Sequence, residues 1–310
     1  MQIAAPVQEQ AQLPRRDWCR LELGEFLGPL VGYSRSAERS HFYLPHLKLG
    51  LDCGVVNGRQ PPEVALTHGH SDHSADLAWV CQRSAGTQVL VPEELVPKCR
   101  AYVVAAMELN CCEEFDENRL DFRFIGVSHG QWLPSSLRGG GQLEWEVFKM
   151  HHGVPCVGFG LCRRTKKLRD EFRNVPGAEL GRLRREGVAI EEVARQEELM
   201  YCGDTNVSVL EECPRILEYP RIIIECTFLD IFDGVTEEEI KERCERDGHI
   251  LWSQLRPFVL ANRQSQFILI HFSLRYTVVQ IHEFFRGEDA AHDLHNVSVF
   301  AGEYRENRYQ

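Results

Sequence analysis

The segment Thr67-His68-Gly69-His70-Ser71-Asp72-His73 gathers three imidazoles and a carboxylate within six residues, directly after the apolar run Val64-Ala65-Leu66. Neutral imidazole and carboxylate are the donors a borderline divalent cation such as zinc prefers. Alternate residues of an extended loop share a side, so His68 and His70 face one way. Asp72 and His73 open the following helix and face another, so one short segment can serve two cations.

Four further apolar runs stop at residues of the same chemical kind. Trp145-Glu146-Val147-Phe148 leads to His151 and His152, and Leu199-Met200-Tyr201-Cys202 leads to Gly203-Asp204. Arg221-Ile222-Ile223-Ile224 ends at Glu225, and Phe267-Ile268-Leu269-Ile270 ends at His271. A lone polar residue at a strand end usually serves only local hydrogen bonding. Five such ends point to one shared site. Chemistry alone does not choose between His151 and His152.

The elements that must position these residues read as strands first, then strands alternating with helices. Phe42-Tyr43-Leu44 and the run from Leu47 to Asp52 read as antiparallel strands. Helical periodicity appears over 77–83, 93–109, 236–246 and 277–285. Residues 139–141, all glycine, predict a turn. Residues 163–198 are strongly charged with few strand-like runs and predict an excursion from the core. The order suggests two sheets packed together and flanked by helices, in one domain spanning residues 1–310, with ligands delivered to one sheet edge.

The motif at His68 to His73 resembles the metallo-β-lactamase superfamily, whose signature is His-x-His-x-Asp-His. Phe148-Lys149-Met150-His151-His152-Gly153-Val154-Pro155 with Gly158-Phe159, Gly203-Asp204-Thr205 and His271 match its later motifs. The resemblance implies an αββα sandwich of two mixed β-sheets and selects His152 as a ligand. It further implies that His68, His70 and His152 hold one zinc ion, that Asp72, His73 and His271 hold a second, and that Asp204 bridges the two. Such a pair lowers the pKa of a shared water so that hydroxide exists at neutral pH. Ser74-Ala75-Asp76 stands where the family often has glycines, and Gly69 where serine is common. Both departures are expected to alter helix packing and not the ligands.

The C-terminal third is similar to the tRNase Z group, in its short single-domain form. The residues that carry this likeness are Glu225-Cys226-Thr227-Phe228-Leu229-Asp230, Asp247-Gly248-His249-Ile250 and His271-Phe272-Ser273-Leu274-Arg275-Tyr276-Thr277. The likeness implies a metal-dependent endoribonuclease that removes the 3′ trailer of precursor tRNA, working as a homodimer. In that chemistry Asp72 accepts a proton from the attacking water. His249 protonates the departing ribose oxygen with Glu225 orienting its ring, and Arg275 grips a phosphate. Arg163, Arg164, Lys166 and Lys167 open a basic run where this group places its substrate arm, and they are expected to contact tRNA phosphates by shape. The alternative is a small-substrate metallohydrolase of the same fold, a phosphodiesterase or a glyoxalase-type thioesterase.

Bulk composition bounds these readings. With 310 residues, 43% hydrophobic and 26% charged, the chain can bury a large core. No apolar run approaches the 18 or so residues of a membrane span. The N-terminal residues show no secretory pattern. A net charge of −11 disfavours indiscriminate coating of nucleic acid, although a local basic patch is compatible with it. Twelve cysteines without a single Cys-x-x-Cys, several at the ends of apolar runs, read as buried thiols. Reduced thiols suggest the cytosol or nucleus.

Overall fold

A computed structural model describes residues 18–137, 142–232 and 234–302. The N-terminal segment and the glycine turn at 139–141 lie outside the described residues. Among the described residues fourteen strands form two seven-stranded sheets, each in sequential order. The first contains β1 (Cys19–Glu22), β2 (Pro29–Arg35), β3 (Arg39–Leu44), β4 (Leu49–Leu51), β5 (Glu63–Ala65), β6 (Thr87–Pro92) and β7 (Phe122–Val127). The second contains β8 (Trp132–Pro134), β9 (Leu143–Lys149), β10 (Val157–Leu168), β11 (Glu191–Tyr201), β12 (Arg221–Glu225), β13 (Gln266–Ile270) and β14 (Val297–Val299). In each sheet the first four strands are antiparallel neighbours and the last four are parallel.

The helices are α1 (Ser71–Ser74), α2 (Leu77–Cys81), α3 (Val96–Cys111), α4 (Gly177–Arg185), α5 (Val209–Glu212), α6 (Glu237–Asp247), α7 (Trp252–Ala261) and α8 (Val278–His292). Strand patterning explains the layers. On β12, Ile223 joins the core between the sheets, while Ile222 and Ile224 turn outward to pack with Trp252, Leu255 and Phe285 of α7 and α8. On β6, Leu90 faces inward, and Val89 and Val91 pack outward with Leu77, Val80 and Val103 of α2 and α3. Strands buried on both faces read as continuous apolar runs. Sheet faces sheet, and helices cover both outer faces, which is the αββα arrangement expected.

Glu63 is fully buried at the start of β5 yet satisfied across the sandwich. It accepts hydrogen bonds from Trp145 Nε1 of β9 and from the Ser135 hydroxyl, each at 2.8 Å. Such partners are what allow a carboxylate inside a core.

Helix bounds depart from the periodicity for local reasons. Pro97 lacks an amide proton and suits only a first turn, so Glu93–Leu95 form a 3₁₀ turn and the α-helix begins at Val96. Thr236 and Thr277 cap α6 and α8 through reciprocal bonds with Glu239 and Gln280, so neither threonine is itself helical. No helix was expected at α7, whose sequence Pro257 interrupts.

The largest departure is at 163–198. Instead of few strands, β10 and β11 run on in register from Arg163↔Gln196 to Leu168↔Glu191, and α4 lies between them. Charged residues can occupy these positions because the two strands project beyond the sandwich, where neither face has a core to meet.

Candidate metal centre and catalytic residues

The C-terminal ends of the central strands of both sheets converge on one cluster. His68 follows β5, Asp72 and His73 lie in α1, His152 follows β9, Asp204 follows β11, and His271 follows β13. Gly203 (φ +63°) lets the Asp204 loop pass the ligand loop, since a Cβ there would lie 2.7 Å from the Thr67 methyl.

His68 Nε2 and His152 Nε2 each lie 3.1 Å from His70 Nδ1. One Asp204 oxygen lies 3.8 Å from His68 Nε2 and 4.0 Å from His152 Nε2. The second group is as tight. Asp72 Oδ2 is 3.5 Å from both His73 Nε2 and His271 Nε2, which are 3.4 Å apart. Asp204 reaches this group too, at 3.4 Å from each of those imidazoles. All seven predicted ligands therefore meet, with Asp204 between the two groups. His151 does not join them. Its Nδ1 meets the Ser208 hydroxyl at 2.8 Å and its Nε2 meets Glu212 at 3.2 Å, which turns the ring away.

Hydrogen bonding on the far side of each ring decides what the near side offers. His73 Nδ1–H donates to Asp52 at 2.7 Å, and His152 Nδ1–H donates to the Gly248 carbonyl at 3.1 Å. His68 Nδ1–H donates to the Thr67 hydroxyl, which donates on to Asp52, both at 3.0 Å. His271 Nδ1–H donates to the Thr227 hydroxyl at 3.0 Å, which donates on to Glu225 at 2.5 Å. In the neutral rings each Nε2 then presents a lone pair to the cluster. His73 Nε2 and His271 Nε2, 3.4 Å apart, cannot both keep bare lone pairs, so a proton or a metal cation belongs between them.

Ligands about 2.0–2.2 Å from a small divalent cation stand about 3.3 Å apart at tetrahedral angles, which is the spacing observed. Asp204 Oδ1 is buried with no hydrogen-bond partner. Burial pushes the Asp204 carboxyl up, but His271 and His73 outweigh it and hold the group well below the usual carboxylate range. Burial lowers His73, but Asp204 and Asp52 outweigh that and push it well up. The pocket thus favours positive charge, and the donor set fits divalent metal.

Glu225 is fully buried at the end of β12 and accepts His249 Nδ1–H at 2.8 Å. It also accepts the amides of Thr205 at 2.9 Å and Ile250 at 3.1 Å. His249 follows Gly248, the left-handed cap of α6, where a Cβ would lie 2.6 Å from His152 Cα. Its ring stands 5.3 Å from that of His152 and 5.5 Å from that of His271. Burial lowers His249, but Glu225 more than offsets it and raises the imidazole to about 9.

The profile of the metallo-beta-lactamase superfamily matches residues 54–109, which hold the first ligand motif. Over that segment the chain is similar to the metallo-β-lactamase superfamily. It is 25% identical over 260 residues to tRNase Z TRZ1 of Arabidopsis thaliana, covering 82% of this chain and 89% of that one. It is 26% identical to chloroplastic tRNase Z TRZ2 of the same plant, over 82% and 70% of the two chains. The metallo-beta-lactamase fold protein YhfI of Bacillus subtilis superposes with a TM-score of 0.52 at 15% identity, over 88% of this chain and 95% of that one, which supports the fold.

The Ser74-Ala75-Asp76 departure after the first motif has a clear local use. The Ser74 hydroxyl donates back to the His70 carbonyl at 2.9 Å, and Asp76 accepts the Val56 amide at 2.8 Å. Both changes brace the ligand loop. Asp52 carries more of the centre than the sequence motifs indicated. It accepts His73, the Thr67 amide and hydroxyl, and the Tyr201 hydroxyl. The signal was present, because Leu49-Gly50-Leu51 is one more apolar run ending in a carboxylate. Asp52 with Thr67 and His68 on one sheet repeats Glu225 with Thr227 and His271 on the other.

Arg275 is exposed on the loop after His271, with its guanidinium 5.9 Å from the Tyr276 ring. The arm's cations are less available than their number suggests, since ten basic residues share 163–198 with eight acidic ones. Arg163 pairs with Glu198 at 3.0 Å, Arg164 with Glu144 at 3.5 Å and Lys167 with Glu192 at 3.0 Å. Lys166 is exposed on the same strand. Eight of the twelve cysteines are buried thiols. Among the described residues no helix is long and apolar enough to cross a membrane.

Proposed function

We propose that this chain is a zinc-dependent endoribonuclease that removes the 3′ trailer of precursor tRNA, acting as a homodimer of single-domain chains. The observation that carries the reading is the Glu225–His249 pair standing beside a complete two-metal ligand set, in a chain similar to tRNase Z proteins over 82% of its length. Two zinc ions held there would generate a hydroxide nucleophile and take up charge on the phosphate oxygens. The chain's own residues supply the rest. His249 is charged at neutral pH and can protonate the departing ribose 3′ oxygen, with Glu225 holding the ring in place. Asp72 is a carboxylate at the mouth of the cluster, positioned to accept a proton from the attacking water. Arg275 offers a planar two-pronged grip on a phosphate. Incubating metal-loaded protein with end-labelled precursor tRNA tests the proposal. A single cut at the base of the trailer is expected, and turnover of small phosphodiesters without tRNA cleavage would favour the small-substrate reading.

Two expectations follow from the geometry. Zinc-saturated protein should hold about two ions per chain, measurable by elemental analysis after gel filtration. A value of one would leave Asp204 serving a single metal. On the arm, charge reversal at Lys166 and Lys167 should weaken tRNA binding and flatten its salt dependence, by about one unit of log–log slope for each phosphate no longer neutralised. Hydrolysis of bis(p-nitrophenyl) phosphate, too small to span from the centre to the arm, should be unchanged. Unaltered tRNA affinity across a salt series would reduce the arm's lysines to solvated surface.

A further inference from the structure

The turn joining β2 to β3 reaches the metal centre from the far end of the chain. Arg35, the last residue of β2, is 8% exposed. Its Nε donates to the Phe272 carbonyl at 3.1 Å, and its Nη2 donates to those of Ser273 at 2.9 Å and Tyr276 at 2.6 Å. The Ser36 amide donates to the same Phe272 carbonyl at 3.2 Å, and the Ala37 amide donates to Asp72 Oδ2 at 3.1 Å. Three consecutive residues thus hold both the carboxylate of Asp72 and the loop that carries His271 and Arg275.

The backbone is unusual on both sides of this junction. Ala37 (φ +59°) and His271 (φ +62°) both occupy the left-handed region. Residues with a Cβ persist there only when their surroundings over-determine the conformation. Arg35 suits the task because one rigid, planar guanidinium can serve three carbonyls at once, whereas an ammonium on a flexible stem cannot fix their mutual positions. Burying that charge is costly unless its donors are used.

We propose that Arg35 is a positioning residue, which with Ser36 and Ala37 sets the distance between Asp72 and His271 and the reach of Arg275. The Arg275 part rests on the function proposed above; the metal part does not. Arg35→Lys keeps the charge and removes the fork. In the full-length zinc-loaded chain, a chelator titration should release one class of zinc at least tenfold more readily than in the wild type, with the melting temperature of the metal-free protein little changed. With precursor tRNA, kcat should fall at least tenfold while KM rises. Unchanged zinc release would overturn the proposal. A second measurement needs no variant: hydrogen exchange at the Ser36 and Ala37 amides should stay slow after zinc is stripped from the wild-type chain. Loss of that protection on chelation would show that metal, and not Arg35, organises the junction, and would overturn the proposal if Arg35→Lys failed to fold. A chain with the expected zinc shift but no tRNA cleavage would count against the proposed activity alone.

Discussion

Asp72→Ala is expected to lower turnover of precursor tRNA by on the order of 10³-fold, with the fold retained. The side chain sits at the edge of the cluster and contributes nothing to the hydrophobic core between the sheets. Its carboxylate faces His73 and His271 at 3.5 Å and receives the Ala37 amide. Burial pushes the Asp72 carboxyl up, but the facing His271 and His73 imidazoles outweigh it and hold the group at about 2. A carboxylate so depressed is a firm ligand and a weak base, so part of the loss should appear as one fewer zinc ion per chain. Circular dichroism and zinc content on the same preparation separate these effects. A near-normal rate in a correctly folded variant would remove Asp72 from the mechanism.

His249→Ala should cost a comparable factor, about 10²–10⁴, without changing zinc content. Its Nδ1 is committed to Glu225, which leaves Nε2 to face substrate. The pH profile gives an independent check. The raised group at about 9 is charged below that pH, and an acid catalyst acts only while it holds its proton. Activity should therefore persist through neutral pH and fall as pH rises toward 9. Cations bound beside the ring would move that limb lower, because like charge disfavours imidazolium. Glu225→Gln removes the carboxylate that raises His249 and should shift the alkaline limb down by at least one unit. A limb left in place by Glu225→Gln would mean that some other group titrates there. A leaving group that needs no protonation, such as p-nitrophenolate, should lose much less in His249→Ala.

The candidate metal ligands were legible in sequence because each stands in a segment that directly follows a buried strand, where polar residues have little reason to gather unless something binds them. Continuous apolar runs marked the strands, and the residues that follow them marked the candidates. The same pattern contained Asp52, whose role stayed hidden because its four hydrogen-bonding groups come from His73, Thr67 and Tyr201, far apart in the chain. Helix α7 was missed although Trp252, Leu255 and Val259 fall at helical spacing, because Pro257 within it reads as a helix breaker. The arm's cations were visible in sequence, but their ion-pair partners were not. The neighbouring strands supply those partners: Glu198 and Glu192 of β11 meet Arg163 and Lys167, and Glu144 of β9 meets Arg164.

By itself, then, the sequence determined the two-sheet architecture, the set of side chains able to bind metal and the reactive chemistry they imply, because these follow from local burial patterns and donor types. Tertiary structure decided which of two adjacent histidines faces the centre. His151 is captured by Ser208 and Glu212 while His152 is aimed by the Gly248 carbonyl. It decided that Asp204 stands between two ligand groups, that Glu225 charges His249, and that the arm's cations are largely paired. It also brought Arg35 to the carbonyls of Phe272, Ser273 and Tyr276. Each of these depends on the meeting of segments tens to hundreds of residues apart, and no pattern within a single segment records what the other segment will offer.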